Sequence, residues 1–506
     1  MNTLNKLFIK KDIAELNPKI IIPILIGISL IIRIYYFPFN VPIAADGIDY
    51  FMFAASIAQN GEFPTGILMT NDGWSIFLSI FFYFFNQNDM FFLMDVQRYV
   101  SIIISVLTII PVYLLCRKFL NSTLSLFSSS LFIFEPNIVQ NSLLGITEPL
   151  FLFLEVYSIN LLYSKKSYLI YLSFVMAGLA TIVRYEGLLL LIPLSIIFFL
   201  KYKTTYTSLK NYLADVGLFV ITIIPTSLLR VVNNGSDGIL SHTVGSIGKN
   251  EGAVTVLINS NQLGLNFSHG FFKFAVYLAW IAFPLFIILI PLGIFQILKI
   301  REKKVLELLI FSVFLSVTSI YAYIRDIQEI RYLFVLLPIY CIVSSYSFYN
   351  IDGKTQTKLL LVMIVIIVFS STIYLEWQKI DYEIEREKFV DSKFIINNVQ
   401  SINSYEGGKY LKPALLSQSW PQLLTLDENK KTTHNIKRIS LNNFNSIDQI
   451  MQEKENLGLT HLIVFDNNSQ EFLNDIYYNE SKYSFLTKIY DSSLNHKQPI
   501  KIFKID

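Results

Sequence analysis

Long apolar runs and short polar breaks alternate along most of this chain. A helix needs about 20 mostly apolar residues to cross the hydrocarbon of a bilayer. Such runs recur near 20–37, 97–116, 122–136, 146–163, 168–183, 187–200, 213–231, 273–298, 305–324, 332–349 and 358–375. The pattern predicts an α-helical polytopic membrane protein with about 11 transmembrane helices. A shorter run near 74–86, WSIFLSIFFYFF, is better suited to an interfacial or re-entrant helix. Past residue 375 the pattern changes. EWQKIDYEIEREKF reads as a charged helical exit from the last span, and HLIVF, SFLTKIY and IKIFKI read as short strands. Strands mixed with helical stretches predict a small α/β domain. The expected domains are therefore 1–375, in the membrane, and 376–506, outside it.

Charge gives the expected orientation. With the N-terminus inside, inner segments hold Lys6, Lys10, Lys11, Lys19, Arg117, Lys118, Lys165, Lys166, Lys201, Lys210, Lys299, Lys354 and Lys358 among others. The outer loops and span ends hold Arg33, Arg98, Arg184, Arg230, Lys249, Lys273, Arg325 and Arg331. Positive charge favours the cytoplasmic side, so the N-terminus is expected there and the tail on the extracytoplasmic face. Asn-x-Ser sequons at Asn234, Asn266, Asn467 and Asn479 all fall on that outer side.

Composition agrees. The 506 residues are 53% hydrophobic and 16% charged, with mean hydropathy +0.49, where a soluble domain carries roughly a quarter charged residues. The first span lacks a small-residue cleavage site and reads as retained. Two cysteines, Cys116 and Cys341, are too few for a disulfide framework or a metal site.

Candidate chemistry collects on the outer side. VPIAADGIDYFMFAASIAQNGEFP, just past the first span, carries Asp46 and Asp49 but no Lys or Arg. Three residues apart, they share one helix face. They suit either the N-terminal end of the helix dipole or a general base with a helper. Glu148 stands before Pro149 at the outer start of a span, where it could cap the helix or face a cavity. At Arg184-Tyr185-Glu186-Gly187 two spans meet with almost no loop, and Gly187 is expected to permit the tight turn. Ionisable residues at membrane depth are costly and are functional candidates, although Arg184 and Glu186 could simply pair. Arg325, Asp326, Glu329, Arg331 and Tyr332 open another span in the same way. Six of the eight outer basic residues are Arg, whose fork of donors suits phosphate, although snorkelling also explains Arg at span ends. The chain holds no P-loop, no dinucleotide fingerprint and no Cys/His ligand spacing. Its histidines, His242 and His269 among them, form no ligand pattern, and nothing points to nucleic acid.

Taken in order, AADGIDYFMFAASIAQNGEFP, NDGWSIFLSIFFYFF, SLLGITEPLF, GLATIVRYEGL and RYLFVLLP resemble the GT-C superfamily of polyprenyl-phosphate-sugar-dependent membrane glycosyltransferases. The similarity is to the branch of protein mannosyltransferases and aminoarabinose transferases. It implies inverting transfer of a sugar from a polyprenyl-phosphate donor to a protein, lipid or glycan acceptor on the extracytoplasmic face. It also implies that the catalytic acid is Asp46 or Asp49. Many relatives carry adjacent Asp-Glu there, whereas this chain has Asp46-Gly47-Ile48-Asp49. Glu148, Arg184, Glu186, Arg331 and Tyr332 are the expected substrate-binding residues, sharing an outer cavity with the first loop. The Trp-Trp-Asp signature of oligosaccharyltransferases is not matched by the isolated Trp377 and Trp420.

No cofactor is identified. Outer carboxylates could hold a divalent ion through oxygen ligands, but no dedicated motif is present. The expected partners are the donor, the acceptor and membrane lipids. A transporter or flippase of a lipid-linked or anionic solute would also place charges at membrane depth, but it predicts inverted repeats and broken helices near the midplane. A structural subunit predicts no defect when single outer carboxylates are neutralised. The orientation is checked by impermeant thiol labelling of a cysteine introduced into the tail. Labelling in intact cells is expected, and labelling only after lysis would reverse the topology.

Overall fold

A computed structural model describes residues 17–43, 46–63, 71–85, 90–201, 206–235, 260–300, 303–325, 327–399, 401–403, 437–439, 441, 444–466 and 470–505. Lys6, Lys10, Lys11, His242, Lys249, Asp326, Trp420 and Asn467 lie outside the described residues, as do the side chains of Asn234 and Asn266.

The chain divides into two compact units, Met1–Phe37 with Leu68–Leu78 and Gln97–Lys379, and Pro38–Ile67 with Ser79–Val96 and Ile380–Asp506. The helices of the first half are α1 (Pro18–Tyr35), α2 (Asp46–Asn60), α3 (Gly73–Phe85), α4 (Met90–Leu107), α5 (Ile109–Cys116), α6 (Ser122–Ile133), α7 (Pro136–Ser142), α8 (Glu148–Leu162), α9 (Ser167–Val183), α10 (Leu191–Lys201) and α11 (Tyr206–Asn234). Further helices cover Ser260–Ala282, Leu289–Ile300, Lys303–Ile324, Leu337–Ser345 and Gly353–Trp377.

Among the described residues, six helices are long and apolar enough to cross a membrane: Pro18–Tyr35, Phe91–Cys116, Ser208–Asn233, Val305–Ile324, Ile330–Phe348 and Gly353–Trp377. The other apolar runs fold as shorter pieces. The run expected over 273–298 is two helices, Ser260–Ala282 and Leu289–Ile300, separated near Pro284. Proline lacks the N–H that a continuous helix would use there. The run at 187–200 begins as a 3-10 helix, Tyr185–Leu190, before α10. The WSIFLSIFFYFF run is the 13-residue helix α3.

In the first unit α6 is buried at every position. Its serines allow close helix approach, as small residues do in membrane bundles. Ser128 Oγ lies 2.5 Å from Ser345 Oγ and 3.2 Å from the Cys341 carbonyl. Both cysteines are buried and free. Large apolar side chains remain on the periphery, with Val232 81%, Ile288 67% and Phe369 67% exposed. Such a coat suits lipid rather than water. Arg33, assigned to a span end by the charge pattern, is fully buried rather than snorkelling. Its guanidinium donates to Ser142 Oγ and Ser105 Oγ, each at 3.0 Å, and to Ser29 Oγ. This satisfies most of its donors without a carboxylate.

In the second unit, the strands β1 (Ser401–Asn403) and β2 (Lys437–Ile439) pair in parallel, whereas β3 (His461–Phe465), β4 (Leu486–Asp491) and β5 (Ile500–Ile505) form an antiparallel sheet in the order β3-β5-β4. The three apolar runs of the tail are these three strands. Leu462, Val464, Phe503 and Ile505 pack on one face with Leu473 and Ile476 of helix Glu471–Tyr478. Ile463, Ile500 and Ile502 pack on the other with Ile395 and Val399, at the end of helix Glu383–Asn398. Layers on both faces explain why HLIVF is continuously apolar instead of alternating.

Both faces of β3 therefore carry stability. Leu462→Ala and Ile463→Ala, on opposite faces, are each expected to cost about 2–5 kcal/mol. Amide exchange of β3 and β5 in the full-length protein checks this. Unchanged protection in either variant would mean that the corresponding face is not a packed core.

Candidate functional site

The first-unit site is built where three segments break their helices. The α8 helix begins at Glu148, with Pro149 in its first turn and no side-chain cap from Thr147. Glu148 stands in the first turn, and its carboxylate meets two arginines. The α9 helix stops at Val183 because Arg184 is extended, with φ −148° and ψ 130°, and the chain re-enters a helix through the 3-10 turn Tyr185–Leu190. Helix Lys303–Ile324 ends in a similar way. Glu329 is extended, and Ile330–Leu336 forms a 3-10 turn leading into Leu337–Ser345. Two like breaks, each bearing an Arg, therefore face the start of α8.

Their charges interlock. Arg184 Nη1 binds Glu148 Oε1 and donates to Thr147 Oγ1 at 3.1 Å. Its Nη2 reaches Glu186 Oε1 at 2.8 Å. Arg331 Nη1 lies 3.4 Å from Glu148 Oε1, and its Nε pairs with Glu329. The Arg184 guanidinium also sits 5.6 Å from the centre of the Tyr332 ring, within cation–π range. Glu148 is 2% exposed and Arg184 and Glu186 are each 8% exposed, while the Arg331 side chain retains 21% and its partner Glu329 46%. A small cavity opens among Glu148, Arg184, Glu186, Arg331 and Tyr332, with Phe151, Leu152, Thr318, Phe334 and Val335 completing its walls.

Uncharged groups hold this arrangement in place. Ser319 Oγ donates to the Tyr332 carbonyl at 2.6 Å, and Tyr323 Oη to the Glu329 carbonyl at 3.1 Å. Tyr185 N–H donates to Asn71 Oδ1 at 3.2 Å. Before α8, Gly145 has φ +69°, a conformation that favours glycine, and its carbonyl accepts from Trp74 Nε1 at 3.0 Å and Gln97 Nε2 at 2.6 Å. Asp72, 2% exposed, pairs with Arg230 at 3.1 Å.

Five of the residues expected from the sequence, Glu148, Arg184, Glu186, Arg331 and Tyr332, are brought together. Asp46 and Asp49 belong to the second unit, where both stand in the first turn of α2. Asp46 is exposed and Asp49 half-buried, above a face formed by Ile48, Phe51, Ala54 and Ala55. Thr147, Asn71, Asp72 and Trp74 were missed as supporting groups. Asp72 offered a signal, an acid directly before an apolar helix, but its partner Arg230 is 158 residues away in the chain. Among the described residues, no group of three or more His, Cys, Asp or Glu is placed to hold a metal ion.

Gly187 acts differently from the turn-former expected. A Cβ there would lie 2.5 Å from Thr181 N and 2.8 Å from Ala180 C, so the glycine lets the 3-10 turn press against the α9 backbone. Backbone cannot yield as a side-chain tip can. Gly187→Ala is therefore expected to destabilise by about 1–3 kcal/mol, whereas Gly217→Ala, with open space around its site, is not. Thermal unfolding of the two variants in detergent checks this, and equal midpoints would remove the close-approach role.

A family model described as dolichyl-phosphate-mannose-protein mannosyltransferase matches residues 74–228. That span includes Glu148, Arg184 and Glu186 but neither Asp46 and Asp49 nor Arg331. No curated protein matches the sequence. Among solved structures, the chain is similar to the archaeal oligosaccharyltransferase AglB from Archaeoglobus fulgidus in complex with an inhibitory peptide and a dolichol-phosphate. The TM-score is 0.58 at 12% identity, covering 92% of this chain and 72% of that one. It is also similar to ArnT from Cupriavidus metallidurans bound to undecaprenyl phosphate, with TM-score 0.58 at 9% identity, covering 96% of this chain and 97% of that one. At these identities the likeness is one of fold.

Proposed function

We infer that this chain, which has the fold of the GT-C superfamily of membrane glycosyltransferases, moves a sugar from a polyprenyl-phosphate donor to a protein, lipid or glycan acceptor. The extracytoplasmic face is proposed for the reaction because the lysine clusters assign the opposite side to the cytoplasm. The observation that carries the reading is the pair of guanidiniums, Arg184 and Arg331, on one cavity of an apolar helical unit. A lipid-borne donor needs its phosphate met at membrane level, and solved structures with this fold hold dolichol-phosphate or undecaprenyl phosphate.

The two arginines differ in what they can offer. Arg184 is enclosed by Glu148, Glu186 and Thr147. Its role is to hold the carboxylates in place. Arg331 is more exposed, and its partner Glu329 is nearly half-exposed. A phosphate oxygen can take the place of the Glu329 carboxylate on Arg331. Exchanging one anion for another leaves the local charge unchanged. The guanidinium then stabilises the charge that grows on the leaving phosphate.

In the proposed step the acceptor oxygen or nitrogen attacks C1 of the sugar. The C1–O bond to phosphate breaks, its electron pair leaves with the lipid phosphate, and the configuration at C1 inverts. The proton lost by the acceptor passes to a carboxylate, for which Asp46 is proposed, with Asp49 orienting the acceptor. This assignment rests on the first-loop resemblance and on the helix turn that carries both acids. The leaving phosphate needs no proton while Arg331 is paired with it.

Purified protein assayed with a panel of polyprenyl-phosphate sugars tests the reading. Arg331→Ala is expected to raise the donor KM about tenfold or more, the value of a charge-assisted hydrogen bond, with a smaller effect on the acceptor. Unchanged donor affinity would place the phosphate elsewhere. Asp46→Asn preserves shape and helix capping, so a capping role predicts little change. Loss of a general base predicts a fall in turnover of about 10² to 10⁴. Near-normal turnover in Asp46→Asn with loss in Asp49→Asn would exchange their roles.

A further inference from the structure

The cavity of the first unit is lined by two carboxylates, Glu148 and Glu186, and two guanidiniums, Arg184 and Arg331. Glu148 bridges both arginines, and Glu329 pairs with Arg331 near the solvent. Glu186 is only half used. Its Oε1 takes Arg184 Nη2 at 2.8 Å, but its Oε2 has no hydrogen-bond partner among the described residues. The side chain is 7% exposed, so bulk water does not compensate for the missing bond. Leaving a buried acceptor unsatisfied is costly, and more so when it is charged. That cost is removed when a donor enters the cavity that Glu186 lines.

The surroundings restrict the donor. The open oxygen belongs to a carboxylate and can only accept, so the group that binds it brings a hydrogen and no negative charge. Phe151, Leu152, Phe334 and Val335 supply apolar walls, and Tyr332 adds a ring. Apolar walls with a single placed acceptor suit the C–H faces and one hydroxyl of a sugar ring.

We propose that Glu186 Oε2 is the recognition point for one hydroxyl of the transferred sugar, which would make Glu186 a specificity-determining residue. The proposal rests on the glycosyltransferase reading above and narrows its substrate class to a sugar with a free hydroxyl at the position Glu186 meets. Arg331 meets the phosphate at the more exposed part of the same cavity.

The test uses the full-length protein, a polyprenyl-phosphate hexose that it accepts, and the set of monodeoxy analogues of that donor. With the wild type, one deoxy position is expected to lose about tenfold to a hundredfold in kcat/KM, the worth of a hydrogen bond to a charged group. In Glu186→Gln and Glu186→Ala that penalty is expected to shrink, because the charged acceptor is gone from both enzymes. Arg184 keeps Glu148 and Thr147 in both variants. Should the variants not fold, the wild-type donor series decides alone. Equal use of all monodeoxy donors overturns the proposal, and so does a penalty that both Glu186 variants retain. A penalty found with deoxy acceptors but not with deoxy donors overturns the assignment to the donor. No transfer of any sugar by the wild type would instead overturn the glycosyltransferase reading, and the proposal with it.

Discussion

A guanidinium buried in an apolar bundle cannot be left alone. Arg184 is 8% exposed, and the first unit is arranged to answer its charge. Glu148 comes from the start of α8, and Glu186 from the turn that follows Arg184 itself. Removing one partner of such a pair costs about 3–5 kcal/mol because the other charge stays buried. The pair therefore fixes more than its own geometry. It ties the end of α9 to the start of α8, and through Glu148 it also positions Arg331 on a third segment.

The backbone around the pair is shaped to make this meeting possible. Glycine at 187 allows the 3-10 turn to press on the α9 backbone, and positive φ at Gly145 turns the chain into the approach to α8. Trp74 and Gln97 both donate to the Gly145 carbonyl, so that bend is held from two sides. The broken helices are not defects in this setting. Irregular backbone at membrane depth is tolerated where it lines a cavity or is buried in protein, and here it lines one.

The uneven burial of the two arginines divides the work in the proposed reaction. A cation held between two carboxylates and a hydroxyl serves as scaffold. A cation on the same cavity with a half-exposed partner can exchange that partner for phosphate. Glu186 stands on the scaffold side, with one carboxylate oxygen committed and one open. The same interaction that stabilises the fold thereby orients an acceptor into the space where a sugar would lie.

Hydropathy by itself determined the helical class, the break in character near residue 375 and the three tail strands, because burial in lipid or between two layers leaves long or continuous apolar runs. Four charged residues of the cavity, Glu148, Arg184, Glu186 and Arg331, were also legible, since ionisable groups in or beside apolar spans are costly. Other features depended on tertiary structure. Arg33 looked like a snorkelling end residue, yet it is buried and bonded to Ser29 of its own helix and to Ser105 and Ser142 from distant ones. Asp72 and Arg230, far apart in sequence, meet as a buried pair. Gly187 carried a turn signal, but its necessity comes from the α9 backbone beneath it. Periodicity records how greasy each face must be. Which charge meets which, and which oxygen is left open, is decided only when segments from far along the chain are packed together.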